Sequence, residues 1–396
     1  MLQQTIIKKI AKKILFFAVI ILIGGFGGMF CDRYLFPYLS TTKWFSGYDF
    51  LKRGAEDITV INKTEQTTVK EEASINQIAD QVASSVVSII SYPDPNSKKI
   101  ALRTDASSNS SSSAKNGTGV IVTGDGMIMT YADAINPTGD KYKVMTNDGN
   151  VYDATLLGVD SYSNLAFLKI NASNLPVVSF GDSNSVKAGE KVIAMANGFD
   201  SYSDRYASGL ISDFDPLFNL AGLSVSSSEK LEGVFEADLN YEKYFVGGPV
   251  IDYNGQVAGI VGTIERNNVQ DFFVIPSNKL KSVINRAIDN ELSKNPVLGV
   301  YYLPITQTYA IENNLNVQNG ALIYSSTGQQ GLAIIANSPA QKAGLKIGDI
   351  ITAVGNDKIV AGQNSLPDLL YGYKQGDSVN LTILRIGQQM QISVQL

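Results

Sequence analysis

A Gly-Gly-Pro turn at residues 247–249 follows a polar segment that carries Asp238 and Lys243 and leads into an apolar run. Carboxylates and amines can move protons, so this segment is the first candidate for chemistry. The residue directly before the turn is Val246, which has no proton to lose and no lone pair with which to attack a carbonyl carbon. Covalent catalysis by the side chain at this position is therefore excluded.

Two other arrangements could supply chemistry from these residues. Lys243 could act as the base of a Ser-Lys dyad, but it stands beside Glu242 in a polar loop, where a solvated charge is the simpler interpretation. Asp133 and Asp238 could form a carboxylate pair for acid chemistry or metal binding. The sequence gives no distance between them, and a surface acid plus a turn acid is the simpler interpretation.

The composition limits the chemistry further. Histidine is absent and Cys31 is the single cysteine, so the usual base near neutral pH, intrachain disulfides and cysteine-rich zinc sites are all missing. We therefore expect no metal and no cofactor. Acidic residues outnumber basic ones, 37 against 32, which makes nucleic acid an unsuitable partner.

The N-terminal region has the pattern of a membrane anchor. Residues 14–31 carry no charge, and four lysines precede them within residues 8–13. A stretch of this length can cross a bilayer, and the positive-inside rule places residues 1–13 in the cytoplasm and the chain from Asp32 onward outside. A cleaved signal peptide is the alternative, because Gly25 and Gly27 could serve a signal peptidase.

The elements that must position the Gly-Gly-Pro turn are short strands. Apolar and β-branched runs alternate with Gly, Asn and Asp turns from residue 86 to residue 275, and Asp125-Gly126 and Asn254-Gly255 are clear hairpin signals. This spacing favours barrels or sandwiches over βαβ units. A helix is predicted at residues 277–290, with Leu280, Val283, Ile284 and Ala287 on one face.

Five segments between residues 117 and 277 resemble, in order, the HtrA-like (high-temperature-requirement) family, which joins a trypsin-like protease domain to PDZ domains. The segments are Gly117–Thr130, Gly158–Ile170, Phe180–Val192 with Ala207–Ser212, the Gly-Gly-Pro loop, and Phe273–Ser277. The resemblance covers about residues 72–396. It implies a mostly β fold with a trypsin-like double six-stranded β-barrel, a PDZ-like α+β domain and one N-terminal transmembrane helix.

The resemblance also implies where a catalytic triad would stand. Asp133 occupies the position of the family's histidine, Asn164 that of its aspartate and Val246 that of its serine. Tyr244 replaces the glycine that shapes the family's oxyanion hole. These replacements predict a protein that is not an enzyme and that binds other envelope proteins as a scaffold, adaptor or regulator. The alternatives are an HtrA-type serine endopeptidase or residual hydrolase, and a structural subunit of a membrane complex.

The last hundred residues resemble a bacterial PDZ domain, above all in the run Ser338–Ile351. The loop Leu298-Gly299-Val300 resembles the loop whose backbone N–H groups bind a terminal carboxylate, and Leu366 and Leu370 are candidate pocket residues. We therefore expect proteins or C-terminal peptides as ligands, and a homotrimer or assembly with an active relative. The predicted domains are 1–13 (cytoplasmic), 14–31 (anchor), 32–71 (stalk), 72–292 (two-barrel domain) and 293–396 (PDZ).

Overall fold

The structure is a computed structural model that describes residues 15–16, 19–40, 42, 77–93, 114–137, 140–198, 203–222, 225–240, 243–266, 268–325 and 333–396. The chain divides into two compact units, Met1–Asn76 and Gln77–Leu396. Both barrels and the PDZ domain belong to the second unit.

The described part of the first unit is mostly helical. Residues 19–30 form a helix that continues through a π-helical turn at Cys31–Leu35 into α1 (Phe36–Ser40). The predicted anchor at residues 14–31 lies partly outside the described residues, as do residues 1–13 and most of the predicted stalk. In the part of the chain that the structure describes, none of the helices combines the length and apolar character needed to cross a membrane.

The second unit opens with a helical segment at residues 77–83 and a closed antiparallel barrel in the order β1-β2-β3-β6-β5-β4. Its strands are β1 (Val86–Pro93), β2 (Lys115–Ile121), β3 (Met127–Tyr131), β4 (Asp140–Met145), β5 (Val151–Val159) and β6 (Leu165–Ile170). Side chains such as Ile89, Ile121 and Leu168 fill its interior. Closure leaves no free strand edges, which suits strands this short and apolar.

The second barrel is also closed, in the order β10-β13-β12-β11-β7-β8. Its strands are β7 (Lys191–Gly198), β8 (Ser203–Asn219), β10 (Glu232–Asp238), β11 (Pro249–Ile251), β12 (Val257–Arg266) and β13 (Val269–Pro276). Helix α2 (Ser277–Ile288) follows and buries the four predicted apolar side chains. A two-residue strand, β9 (Ser226–Ser227), lies between β8 and β10 in sequence but joins a different sheet.

The PDZ domain has a third sheet, ordered β19-β18-β16-β15-β14-β9, with β17 paired to β16. Its elements are β14 (Tyr301–Ile305), α3 (Gln307–Glu312), β15 (Gly320–Ile323), α4 (Pro339–Lys342), β16 (Ile350–Val354), β17 (Asp357–Lys358), α5 (Leu366–Tyr371), β18 (Ser378–Arg385) and β19 (Gln388–Gln395). Helices α4 and α5 each begin with a capping serine, whose side chain accepts a hydrogen bond from a free N–H group at the helix start. A proline follows this serine within two residues, at a position where a helix needs no N–H group. The predicted mostly β fold with a trypsin-like domain and a PDZ domain is confirmed.

Candidate functional site

The Gly-Gly-Pro loop is held tightly by its own backbone. A 3₁₀ turn at Lys243–Phe245 precedes Val246, whose side chain is only 3% exposed. The Val246 N–H donates to the Lys243 carbonyl at 3.4 Å, and the N–H of Gly248 donates to that of Phe245 at 2.8 Å. The Gly247 N–H donates to the carbonyl of Val261 on β12, also at 2.8 Å. All three amides therefore have carbonyl partners within the protein.

The two glycines allow this loop to lie against the first barrel. Gly247 has φ +83°, and a Cβ atom there would lie 2.2 Å from Thr130 Oγ1 and 2.4 Å from the carbonyl oxygen of Thr118. Thr130 Oγ1 donates to the Thr118 carbonyl at 2.6 Å, and Thr118 Oγ1 donates to the Tyr244 carbonyl at 2.9 Å. The loop is thus fixed on the surface where the two barrels meet.

Asp133 and Asn164 of the first barrel both lie beside the end of β3. Asp133 is exposed in a 3₁₀ turn, Ala132–Ala134, directly after β3. Asn164 adopts φ +58°, and its carbonyl accepts a 2.8 Å hydrogen bond from the Ala132 N–H. Burial raises the pKa of the Tyr131 hydroxyl, an effect opposed by its hydrogen bond with the Asn164 side chain and reinforced by the charge of Asp133. Tyr131 therefore interacts with both predicted positions.

The structure places Asp133 and Asn164 at the end of β3, and a Cβ atom at Gly247, the neighbour of Val246, would lie 3.0 Å from the Tyr131 nitrogen on the same strand. Asp133 supplies an exposed carboxylate, Asn164 an amide and Val246 a buried aliphatic group. The fourth predicted position, Tyr244, is half-buried, and the guanidinium of Arg205 lies 4.5 Å from the centre of its ring. This arrangement offers the Asp133 carboxylate, but the backbone N–H groups of residues 246–248 are already bonded to carbonyl groups, and position 246 holds no hydroxyl nucleophile.

The predicted carboxylate-binding loop of the PDZ domain does hold a carboxylate. The N–H groups of Leu298 and Gly299 both donate to Oε1 of Glu229, at 3.1 and 2.7 Å. The Val300 N–H donates to Ser228 Oγ at 3.1 Å, and the Ser228 N–H donates to the Val300 carbonyl at the same distance. This carboxylate comes from a side chain of the same protein.

The backbone of the loop is shaped for this contact. Gly299 has φ +84°, and a Cβ atom there would lie 2.3 Å from the Cβ of Ser338, so only glycine fits. The two predicted pocket residues, Leu366 and Leu370, are buried at 0% and 2% exposure in the same core as Leu298 and Val300. They therefore belong to the PDZ interior.

Sequence reasoning missed Ser228, the half-buried Glu229 and the buried Glu232. Glu232 is 3% exposed, and its Oε2 accepts a 2.6 Å hydrogen bond from the Tyr302 hydroxyl. Lys279 donates to the Glu232 backbone carbonyl and to both carboxylate oxygens of Asp368. The contacts of Tyr302 and Asp368 join the trypsin-like part to the PDZ domain across 70 and 89 residues of sequence, separations at which local pattern gives no signal.

Family models match both parts of this architecture. A model described as "Trypsin-like peptidase domain" matches residues 117–260, and one described as "PDZ domain" matches residues 297–396. Among solved structures, "HtrA-type protease AlgW with decapeptide" covers 80% of this chain and 96% of its own, with a TM-score of 0.58 and 22% identity. At that identity, the likeness shows the fold.

Curated relatives are named as serine proteases. The "Probable periplasmic serine endoprotease DegP-like" of Brucella suis biovar 1 (strain 1330) is 31% identical over 283 residues, which are 70% of this chain and 52% of that protein. The "Serine protease Do-like HtrA" of Bacillus subtilis (strain 168) is 28% identical over 83% of this chain and 73% of that protein. The chain thus spans about half the length of the DegP-like relative that it matches.

These relatives correct the prediction that the chain is not an enzyme. That prediction rested on the side chains at three positions, whereas the matching domain model is a peptidase and the relatives are named serine endoproteases. The replacements remove one nucleophile and its base, but inactivity does not follow, because peptide hydrolysis can also proceed through a water molecule activated by another group. On the peptidase and PDZ matches and these relatives together, the chain belongs to the HtrA family of trypsin-like peptidases with a PDZ domain.

Proposed function

We propose that this protein recognises polypeptides in the cell envelope through its PDZ domain, which takes a carboxylate at the loop Leu298-Gly299-Val300 and an extended strand along β14. The observation that carries the proposal is the pair of N–H groups, on Leu298 and Gly299, that converge on one carboxylate oxygen. Backbone donors of this kind recognise a terminal carboxylate whatever side chains surround them.

The strand edge beside the loop supports the same proposal. Tyr301 and Tyr302 of β14 pair in antiparallel register with Ser227 and Ser226, so this edge already accepts an added strand. PDZ domains bind peptides by strand addition of this kind. Two similar solved structures are titled as AlgW with a decapeptide and with a tripeptide, which supports peptide ligands for this chain as well.

The cell envelope is the proposed location of the bulk of the chain, because the DegP-like relatives are named periplasmic. Assembly as a homotrimer or with an active relative belongs to the same proposal, and the mass of the purified protein by light scattering tests it. A homotrimer gives three times the chain mass of 42.7 kDa.

Binding is tested with an array of decapeptides that have free C-terminal carboxylates and varied last residues, alongside the same sequences amidated. We expect the full chain to bind a subset of the free peptides and to lose them on amidation. Equal binding of the free and amidated forms would refute recognition of the carboxylate. Gly299→Ala should abolish binding, because the added Cβ would overlap Ser338.

Peptide-bond hydrolysis is the second candidate function, and the names of the relatives and the peptidase-domain model favour it. Because Val246 supplies no nucleophile, hydrolysis at this site would require attack by water, with Asp133 as the available carboxylate. Unfolded casein is the substrate for the test, and Asp133→Asn is the matched variant. Casein turnover that falls in this variant would support hydrolysis at the site, and turnover unchanged by it would assign the cleavage elsewhere.

A further inference from the structure

The peptide-binding edge of the PDZ domain is occupied by the chain itself. Residues 226–229, the Ser-Ser-Ser-Glu segment between β8 and β10, lie along β14 and end at the carboxylate-binding loop. Ser226, Ser227 and Ser228 are 5%, 6% and 3% exposed. This segment is therefore buried against the PDZ domain although it belongs to the trypsin-like part of the chain.

The geometry of the segment is that of a bound peptide. Ser227 pairs with Tyr301 and Ser226 with Tyr302 in antiparallel register, and the Ser228 N–H donates to the Val300 carbonyl. At the point where a peptide would end in a carboxylate, the chain turns away and the side chain of Glu229 supplies the carboxylate. Glu229 thus stands in for a C-terminus.

Hydrogen bonds rather than apolar burial hold the segment. Its three serines bring almost no apolar surface, and the net contribution of each hydrogen bond to stability is only about 1 kcal/mol. A peptide with an apolar last residue would make similar backbone contacts and would add roughly 25 cal/mol per Å² of apolar area that it buries. The binding free energy of such a peptide at this edge is therefore more favourable than that of the serine segment.

The segment can leave without unfolding a barrel. The Leu220 N–H donates to the Leu231 carbonyl at 3.0 Å, which closes the connection between β8 and β10 at its base. Asn219 contacts the same connection through the Ser227 and Lys230 carbonyls, at 3.4 and 3.2 Å. Lifting residues 226–229 off β14 breaks contacts within the connection and leaves the barrel ladders in place.

We propose that residues 226–229 are an internal ligand of the PDZ domain, with the Glu229 carboxylate as a substitute C-terminus, and that an external peptide binds only by displacing them. The inference rests on the proposed peptide binding and adds its regulation. Displacement frees residues 226–229 from β14 and the carboxylate-binding loop.

Amide hydrogen exchange of the full chain tests the occupancy without any peptide. In Glu229→Ala we expect the Leu298 and Gly299 amides to exchange at least tenfold faster than in the unmodified protein, because their acceptor is gone. Glu236→Gln, which changes an exposed glutamate on β10, is the matched control and should leave both rates unchanged. Equal rates in Glu229→Ala and the unmodified protein would overturn the proposal.

A disulfide lock tests displacement. Ser228 and Val300 form the hydrogen-bonded pair, so Ser227 and Tyr301 are a non-hydrogen-bonded pair, whose close side chains suit a disulfide. The lock is Ser227→Cys with Tyr301→Cys in a Cys31→Ser background. The probe is the decapeptide that the Glu229→Ala variant selects most strongly from the array.

We expect this decapeptide to bind Glu229→Ala at least tenfold more tightly than the unmodified protein, as measured by fluorescence anisotropy. The oxidised lock should bind it at least tenfold more weakly than the same protein after reduction. Affinity unchanged in both comparisons would overturn the proposal. If the amide exchange responds to Glu229→Ala but no variant binds any peptide, the proposed function fails while the internal ligand is supported.

Discussion

The Tyr302 hydroxyl donates a 2.6 Å hydrogen bond to Oε2 of Glu232 and so ties the first strand of the PDZ domain to the second barrel. Burial raises the pKa of the Glu232 carboxyl to about 7. The hydrogen bonds from Tyr302 and Ser226 and the charge of Lys279 oppose this shift, and the charge of Asp368 adds to it. The junction between the domains therefore contains a carboxyl that changes charge near neutral pH.

Stability should depend on pH through Glu232. The folded-state pKa of about 7 lies above the ordinary value of 4.5, so the folded protein holds this proton more tightly than the unfolded chain. The contribution of Glu232 to stability is full below pH 4.5 and is lost as the pH rises through 7. From pH 5 to pH 8 we expect the unmodified protein to lose about 2 kcal/mol more unfolding free energy than Glu232→Gln.

Urea unfolding at the two pH values measures this difference. Glutamine stays neutral and can still accept the Tyr302 hydrogen bond, so the variant isolates the charge. Glu236→Gln, at an exposed position on the same strand, should keep the pH dependence of the unmodified protein. A pH dependence of Glu232→Gln equal to that of the unmodified protein would show that this carboxyl does not titrate in the window.

Sequence pattern predicted the elements whose signals are local. Helix α2 begins at the predicted residue, Ser277, buries the predicted face and ends two residues earlier than expected, at Ile288. Alternation in strands and helical spacing of apolar residues depend on neighbours within a few positions, which a sequence displays directly. The positions Asp133, Asn164 and Val246 came from the family resemblance and not from local pattern.

The occupied PDZ edge could not be predicted in this way. Strand β9 has two serines, with no β-branched or aromatic residue and no alternation, and it exists because β14 offers an unpaired edge. The Glu229 contact with Gly299 spans 70 residues. A glutamate after three serines has the composition of a solvated loop. Its contact with the loop at Gly299 can therefore be identified only from the folded structure, in which the two domains are packed together.

Alanine at Gly247 should destabilise the protein severely. The new Cβ would overlap Thr130 Oγ1 and the backbone carbonyl of Thr118, and φ is +83°. Backbone cannot yield as a flexible side chain can, so we expect a loss of at least about 3 kcal/mol in unfolding free energy. Gly149→Ala is the control, because φ there is +82° with no atom within 4 Å of the new Cβ, and it should cost about 1 kcal/mol. Similar losses of unfolding free energy in both variants, measured by thermal or urea unfolding, would show that the positive φ angle alone, and not the steric overlap, causes the loss.

The ion pair between Arg385 and Asp349 should stabilise the PDZ domain. Asp349 is 1% exposed and accepts from Arg385 Nε at 2.7 Å and from Nη2 at 2.6 Å. Arg385→Met leaves this buried carboxylate without its cation, and we expect a loss of about 2 kcal/mol. The control is Lys143→Met, which breaks an exposed 2.7 Å pair with Asp153 and should cost less than about 1 kcal/mol. Unfolding curves that rank the two variants in the opposite order would contradict the role of burial.

Lys279 and Asp368 should couple energetically across the junction of the two domains. Their side chains are 17% and 21% exposed, and Lys279 Nζ lies 2.6 Å from Asp368 Oδ2, where the Tyr162 hydroxyl also donates to the carboxylate. A double-mutant cycle with Lys279→Met and Asp368→Asn should give an interaction energy of about 1 to 2 kcal/mol. The cycle for Lys374 and Glu291, whose lysine is 65% exposed at 3.0 Å, should give about 0.5 kcal/mol or less. The first pair joins α2 of the barrel part to α5 of the PDZ domain. The rings of Tyr162 and Tyr371 stack nearby, with their centres 4.1 Å apart. An interaction energy near zero would mean that the apolar and aromatic contacts around these rings hold the two domains together without the ion pair.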